Sequence, residues 1–170
     1  KDYVCEFKWD GIRAQIIVSN FGKIYSRNGE DITNSFPELN ITSNKVSVID
    51  GELVVKKNGK ILSFNDLQKR IGRKKVNSRI LDEYPVHFLA YYILFMHDSD
   101  CRNLNLSSRK KKLESLLKIL NVSNISFSPL INFNSWNDLK NLRNKSLNNH
   151  IEGIMLKKKN SLYVKGRPKG

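Results

Sequence analysis

The strongest constraint on the fold is a two-residue alternation of apolar and polar side chains in short segments that end at turn residues. Residues 3–9, YVCEFKW, carry three aromatic rings and a cysteine at one set of alternate positions, with Glu6 and Lys8 at the other. Because successive side chains of a strand point to opposite faces, this pattern predicts a half-buried strand whose lysine faces a cleft or solvent. Asp10-Gly11 follows directly and predicts a hairpin turn into a second strand at residues 12–19.

Further strands are predicted by the same alternation and by short apolar runs that end at turn residues. They are KIYSRN at 23–28, VSVIDGELVVK at 46–56, KILSF at 60–64 and VHFLAYYILF at 86–95, and a hairpin-like pair, IEGIMLKKK and SLYVKG, closes the chain.

Helical spacing appears between these strands. Asn65 is expected to cap a short helix, DLQKRI, that ends at Gly72. Leucines three and four residues apart predict an amphipathic helix at 107–120 with a basic outer face. A last helix is expected from Trp136 to Leu147, with Trp136, Leu139 and Leu142 facing inward.

Strands that outnumber helices, with few β-α-β periods, predict an α+β fold built on antiparallel sheets with flanking helices. A length of 170 residues with 39% hydrophobic content is sufficient for one domain with a core of its own. No segment has the length and apolar character of a membrane span. Cys5 and Cys101 show neither metal-ligand spacing nor a disulfide framework, so a reducing cytoplasm is expected.

The formal net charge of +14 results from 30 Lys and Arg against 16 Asp and Glu. Such an excess predicts attraction to a polyanion, with nucleic acid as the leading partner and an acidic membrane surface as the alternative. The three histidines show no ligand spacing and are interpreted as structural or surface residues.

Charged and aromatic residues interrupt several of the apolar strands, where they would be costly to desolvate without a partner or ligand. They lie in segments that begin at Ser26, Val48, Phe88 and Glu152, with sequences SRNGE, VIDGELV, FLAY and EGIMLK. Taken singly, Lys8 is a solvated strand lysine and each glutamate is half of a surface salt bridge. Five such interruptions in sequence order, Lys8 included, predict one site.

This ordered set resembles the nucleotidyltransferase family of ATP-dependent DNA ligases, RNA ligases and mRNA capping enzymes. The family's first motif, Lys-x-Asp-Gly-x-Arg, is matched by Lys8, Asp10, Gly11 and Arg13. The stretches SFNDLQKRIGRKKV and SLYVKGRPKG are most similar to bacterial ATP-dependent DNA ligases. The resemblance covers nearly the whole chain and implies an ATP-grasp-like adenylation domain with a nucleotide cleft between its sheets.

The chemistry implied by the resemblance starts at Lys8, whose amine attacks the α-phosphate of ATP to form lysyl-AMP. The adenylate then passes to a DNA 5′-phosphate, and the nick is sealed during repair, recombination or replication. Only a neutral amine is nucleophilic, and a lysine with the ordinary pKa of about 10.4 is almost entirely protonated at neutral pH. A site of this kind therefore needs nearby cations, burial or a bound metal.

Roles for the other residues also follow from the resemblance. Tyr91 is expected to stack on the base, with Phe88 and Tyr92 as alternatives, and Ile154 to cover the base from the opposite side. The resemblance also assigns Glu6 to the adenine edge, Arg13 and Arg27 to ribose and phosphate, and Glu52 to ribose or metal. Independently of it, the carboxylate of Glu152 is suited to hold Mg²⁺ or Mn²⁺, and Lys157 is expected to meet a phosphate oxygen. The basic run that contains Lys165, Arg167 and Lys169 adjoins the site and is expected to contact DNA, with a solvated face as the alternative.

Two departures from the family pattern are visible. Tyr92 stands where the family usually has aspartate, and the family's lysine-rich strand and oligonucleotide-binding barrel are absent from the 170 residues. We therefore expect residues 1–170 to be the adenylation domain of a longer, monomeric, cytoplasmic and nucleoid-associated protein that acts on nicked double-stranded DNA. An RNA ligase or guanylyl-transferring capping enzyme, and a basic nucleic-acid-binding module without catalysis, remain as alternatives.

Overall fold

The structure, a computed structural model, describes residues 2–146 and 150–166. The strands are β1 (Tyr3–Trp9), β2 (Ile12–Val18), β3 (Lys23–Ser26), β4 (Ser47–Lys57), β5 (Lys60–Ile61), β6 (Val86–Met96), β7 (Ser99–Asp100), β8 (Ile125–Phe127), β9 (Leu130–Ile131) and β10 (Ile151–Lys158). The helices are α1 (Phe64–Gln68), α2 (Ser78–Glu83), α3 (Leu106–Leu120) and α4 (Trp136–Ser146). Within the described residues, no helix is long and apolar enough to cross a membrane.

The strands form two sheets. A large sheet has the order β3-β2-β4-β6-β7, with β5 paired to β4 and β8 paired to β6, and a small sheet has the order β10-β1-β9. Pairing is antiparallel except between β6 and β8, which run parallel. The α+β class with antiparallel sheets, predicted from the strand pattern, is confirmed.

The main core covers one face of the large sheet. Ile16, Ile49, Leu53 and Phe88 lie there fully buried. Leu113 and Leu116 of α3 pack against the same cluster, as the helical spacing predicts. On the opposite face of β2 and β4, the polar side chains of Arg13, Gln15 and Asp50 line a cavity.

The predicted hairpin at Asp10-Gly11 is wrong. β1 pairs with β9 and β10, whereas β2 pairs with β3 and β4, so the two residues carry the chain from the small sheet to the large one. Alternation along a segment fixes its conformation but does not identify the neighbouring strand. The closing hairpin is also wrong, because β10 pairs with β1 and residues 161–166 form no strand.

Helix ends and faces differ in detail from the predictions. Asn105 caps α3 by accepting a hydrogen bond from the Ser108 amide, and Ser63 rather than Asn65 precedes α1. In α4, Leu139 is buried as expected, but Trp136 is 75% exposed. The predicted end of this helix at Leu147 lies outside the described residues.

Candidate active site

Lys8 lies near the end of β1, where its ammonium forms an ion pair with Glu152 of β10. Both side chains are about half exposed, at 51% and 45%. Regular pairing places Lys8 opposite Gly153, and the register shifts after Lys8. Gly153 has a φ of 151°, a conformation that favours glycine, and this irregularity accompanies the approach of the two side chains. The predicted nucleophile is therefore accessible and lies beside a predicted metal ligand.

Glu52 and Tyr91 approach the same place from the large sheet. The Tyr91 hydroxyl donates a hydrogen bond of 3.2 Å to Glu52. Burial raises the pKa of Glu52 to about 7, an effect opposed by the Tyr91 hydrogen bond and by the positive charges of Arg13 and Lys8. Glu52 is thus a partly desolvated carboxylate close enough to Lys8 for their charges to interact.

Tyr91 reaches Glu52 through an irregularity in β6. Asp50 pairs with Tyr92 and Gly51 pairs with Ala90, so Tyr91 falls outside the regular register. Bulges of this kind re-aim side chains and are frequent beside functional sites. Of the three aromatic candidates, Phe88 is fully buried in the core, whereas the rings of Tyr91 and Tyr92 lie beside the Lys157 ammonium.

Arg13 on β2 is held by Asp50, the adjacent buried carboxylate on β4. The guanidinium donates two hydrogen bonds to Asp50, of 3.1 Å from Nε and 2.6 Å from Nη2. This bidentate contact is the main reason that the pKa of Arg13 lies above its usual range. Sequence reasoning assigned no role to Asp50, although its position two residues before Glu52 on one strand places both on the same face.

Glu6 and Lys157 are brought together, but as partners of each other. The Glu6 carboxylate is fully buried and forms ion pairs with Lys157 of β10 and with Lys110 of α3. The Lys157 ammonium also lies 4.9 Å from the centre of the Tyr91 ring. Lys157 therefore borders the predicted base-binding tyrosine, and Lys110 is a member of the cluster that sequence reasoning missed.

The expected basic outer face of α3 is only partly correct. Lys111 and Lys112 are exposed, whereas Arg109 and Lys110 are buried. Arg109 donates hydrogen bonds to the carbonyl oxygens of Leu104 and Ser161, which attach the segment after β10 to this helix. In the sequence these cations form one uninterrupted run, but Arg109 and Lys110 stand four and three residues before Leu113, at the helical spacing of the apolar face, and this spacing is the signal that distinguishes them.

Ile154 does not lie where it was predicted. In the pairing of β1 with β10 it stands opposite Phe7, whereas Met155 stands opposite Glu6. Paired residues of an antiparallel ladder share a face and neighbours alternate, so Ile154 occupies the face opposite Glu6 and Lys157. The geometry favours Met155 as the residue that covers a base at this site.

Arg27 lines a cavity of roughly 850 Å³ that extends from the Arg13–Asp50 pair along the outer face of the large sheet. Tyr163 and Lys165 also line it, but Lys8, Glu52 and Glu152 do not. The predicted residues therefore form two groups. Lys8, Glu52 and Glu152 form one, Arg27 and Lys165 line the cavity, and Arg13 lies between the two groups. Arg167 and Lys169 lie outside the described residues.

The carboxylates of Glu52 and Glu152 are suitable ligands for a divalent cation that also binds a substrate phosphate. Within the described residues, no cluster of three or more acidic, histidine or cysteine side chains has the arrangement of a closed metal site. Glu52 and Glu152 nevertheless both lie near Lys8, and Glu52 accepts no ion pair from a cationic side chain among these residues. Mg²⁺ commonly binds through one or two carboxylates together with substrate phosphates.

Comparison with known proteins assigns the whole chain to one family. The sequence model of the family described as "ATP dependent DNA ligase domain" matches residues 1–169. DNA ligase 1 of Saccharomyces cerevisiae is 34% identical over 166 residues, which cover 91% of this chain and 22% of the yeast protein. A DNA ligase of Methanococcus aeolicus is 33% identical, over 95% of this chain and 30% of its own length. The chain thus spans less than a third of these relatives.

Solved structures agree on the fold. A mycobacterial DNA ligase D complexed with ATP superposes with a TM-score of 0.72 at 24% identity, covering 97% of this chain and 51% of its own. A Chlorella virus DNA ligase-adenylate gives a TM-score of 0.67 at 16% identity, covering 98% and 58%. Both sequence identities are low, so these likenesses show a shared fold.

Proposed function

The chain belongs to the ATP-dependent DNA ligase family, and from this membership we propose that it is the adenylation domain of an enzyme that seals nicked double-stranded DNA. The observation that carries the proposal is the position of Lys8, an accessible amine between carboxylates from the two sheets. The relatives, three to five times as long as the chain, support the further proposal that the whole protein has an additional lysine-rich strand and an oligonucleotide-binding barrel.

The proposed first step is nucleophilic substitution at the α-phosphorus of ATP. The Lys8 amine forms the P–N bond, the bond to pyrophosphate breaks, and the amine proton is lost to solvent. Tyr91 and Met155 would enclose the base, while Arg13 and Arg27 would bind ribose and phosphate. Glu52 and Glu152 would hold Mg²⁺ or Mn²⁺, which supplies positive charge against the phosphate oxygens.

The later steps transfer AMP to the 5′-phosphate of a nick, after which the 3′-hydroxyl displaces it. Lys165, together with Arg167 and Lys169, would contact the DNA backbone. We further propose that the protein acts as a monomer in the cytoplasm, at the nucleoid. Guanylyl transfer and a non-catalytic role predict different outcomes in the test below.

A direct test is to incubate the full-length protein with ATP labelled at the α-phosphate and to measure the intact protein mass. We expect one acid-labile adenylate, and we expect Lys8→Ala to reduce labelling by about a thousandfold or more because the nucleophile is lost. Lys60→Ala, at an exposed lysine on β5, is the control and should label normally.

Three results would reject the proposal. Label from GTP but not from ATP would indicate a capping enzyme. If neither ATP nor GTP labels the protein, the result would indicate a binding module. Normal nick sealing by Lys8→Ala would exclude the covalent lysine.

A further inference from the structure

Glu6 joins three elements of the protein through its two carboxylate oxygens. Oε1 is paired with the Lys110 ammonium of α3, and Oε2 with the Lys157 ammonium of β10. The three side chains are 1%, 7% and 12% exposed, so this cluster is nearly dry. Two cations on one buried carboxylate exceed what neutralisation alone requires.

The two lysines have different surroundings. The Lys157 ammonium lies 4.9 Å from the centre of the Tyr91 ring and 4.5 Å from that of Tyr92. The Lys110 ammonium lies 4.9 Å from the Phe127 ring and 5.9 Å from the Tyr92 ring. Lys157 therefore lies against the tyrosine proposed to stack on the base, whereas Lys110 lies against Phe127 and Tyr92.

The 6-amino group of a base that stacks on Tyr91 would compete with the Lys157 ammonium for Oε2 of Glu6. When Lys157 leaves, Oε2 of Glu6 becomes free to accept a hydrogen bond from a donor on the base. A carboxylate that remains buried without any cation is strongly disfavoured, so a second cation is needed throughout the exchange. Lys110 provides it, because burial lowers its pKa only to about 8 and the ammonium persists at neutral pH.

We propose that Lys110 is a positioning residue for Glu6 in purine recognition. It stays on Oε1 when nucleotide binds, while Lys157 yields Oε2 to the 6-amino group of adenine. This inference rests on the proposed function, because it assigns a role within the same nucleotide site. It explains why the cluster contains two lysines, one fixed and one exchangeable.

The expected defect of a Lys110→Met variant is specific to the base. Without Lys110, the departure of Lys157 would leave Glu6 buried alone, so Glu6 retains Lys157 and the 6-amino group loses its acceptor. A hydrogen bond to a charged group of this kind corresponds to about a tenfold to hundredfold change in affinity. A nucleotide without a 6-amino group loses nothing.

The experiment measures adenylation of the full-length protein with ATP and with purine riboside triphosphate, which lacks only the 6-amino group. For Lys110→Met we expect KM for ATP to rise about tenfold or more, with KM for purine riboside triphosphate and both kcat values unchanged. Lys110→Arg, which keeps the charge, should recover selectivity for ATP. Lys111→Met, at an exposed neighbour on the same helix, is the matched control.

The outcomes separate the two proposals. Equal KM changes for both nucleotides, or no change for either, would overturn the role of Lys110 while wild-type labelling upheld the proposed function. If the wild-type protein forms no nucleotide adduct with ATP, the proposed function fails first and the role of Lys110 falls with it. Unchanged use of purine riboside triphosphate also shows that Lys110→Met is folded.

Discussion

Burial determines the proton affinity of several individual side chains. Desolvation raises the pKa of Glu52 to about 7, lowers that of Lys110 to about 8, and lowers that of His87 to about 4. In each case the charged form is disfavoured away from water. Glu52 and Lys110 belong to the proposed site, whereas His87 lies at the start of β6, 2.8 Å from the Ser126 hydroxyl.

His87 should make stability depend on pH in the mildly acidic range. Its native pKa of about 4 lies below the ordinary value of 6.5, so between these values the unfolded chain binds more protons than the native one. The contribution of His87 to the free energy of unfolding therefore falls as the pH is lowered from 6.5 toward 4, by up to about 3 kcal/mol. Urea unfolding at pH 7.5 and 4.5 measures this loss. Between these two pH values, the free energy of unfolding of His87→Gln should change without the contribution of His87.

The comparison between the wild-type protein and His87→Gln separates the effect of His87 from that of the carboxylates that also titrate in acid. An equal loss of stability in wild type and His87→Gln would contradict the assignment.

Among the elements, the link between β1 and β2 positions residues from both sheets. A Cβ atom at Gly11 would lie 2.3 Å from the Leu53 carbonyl oxygen and 2.8 Å from Cγ of Glu52. The chain can therefore cross from the small sheet to the large one only where a residue without a side chain passes against β4. This close approach explains why glycine is required between Lys8 and Arg13.

A Gly11→Ala substitution should separate the link from β4 and displace Glu52. Overpacking of this kind costs about 1–3 kcal/mol, and we expect adenylation to fall as well because the site is disturbed. Gly59→Ala is the control, since Gly59 has a φ of 77° and no atom within 4 Å of an added Cβ. That variant should lose about 1 kcal/mol through backbone strain but adenylate normally.

Urea unfolding and adenylation rates distinguish these effects. A Gly11→Ala protein with wild-type stability and wild-type adenylation would show that the link has room to relax.

At the scale of the whole molecule, the cationic side chains divide into buried ones, which stabilise the fold, and exposed ones. The formal net charge is +14, yet Arg70, Arg109 and Lys110 are buried and hold the fold together. Arg70, for example, contacts the carbonyl oxygens of Ser35 and Tyr84. The cations that remain exposed, including Lys165 beside the cavity, are those available to a polyanion.

Binding of the full-length protein to nicked duplex DNA should weaken linearly with the logarithm of salt concentration. Each phosphate contact contributes about 0.9 to the slope, so Lys165→Glu should reduce the slope by about one. Lys60→Glu makes the same charge change on β5 and should leave the slope unaltered. Titrations by fluorescence anisotropy at several salt concentrations measure both, and identical slopes for the two variants would exclude Lys165 from the interface.

Local patterns predicted most of the elements but not their partners, and the expected strand at 161–166 is absent. The alternation in residues 3–9 and the leucine spacing in α3 predicted strand and helix correctly. Strand pairing depends on contacts far apart in the sequence, which is why the hairpin at Asp10-Gly11 was wrong. Ile154 was assigned to the wrong face because the registration of β10 against β1 is likewise a tertiary property.

The amino-acid sequence by itself determined the class of fold, the family and the order of the motifs, because these follow from local periodicity and from residue types at fixed spacing. The tertiary structure alone decided which charges meet: Lys8 with Glu152, Arg13 with Asp50, and Glu6 with both Lys110 and Lys157. For Asp50 and Glu6 the physical reason is that a buried charge must find a partner in space. Lys110 and Lys111 are adjacent in the chain, and helical spacing places Lys110 on the apolar face of α3, but only the packing of α3 brings that ammonium against Glu6.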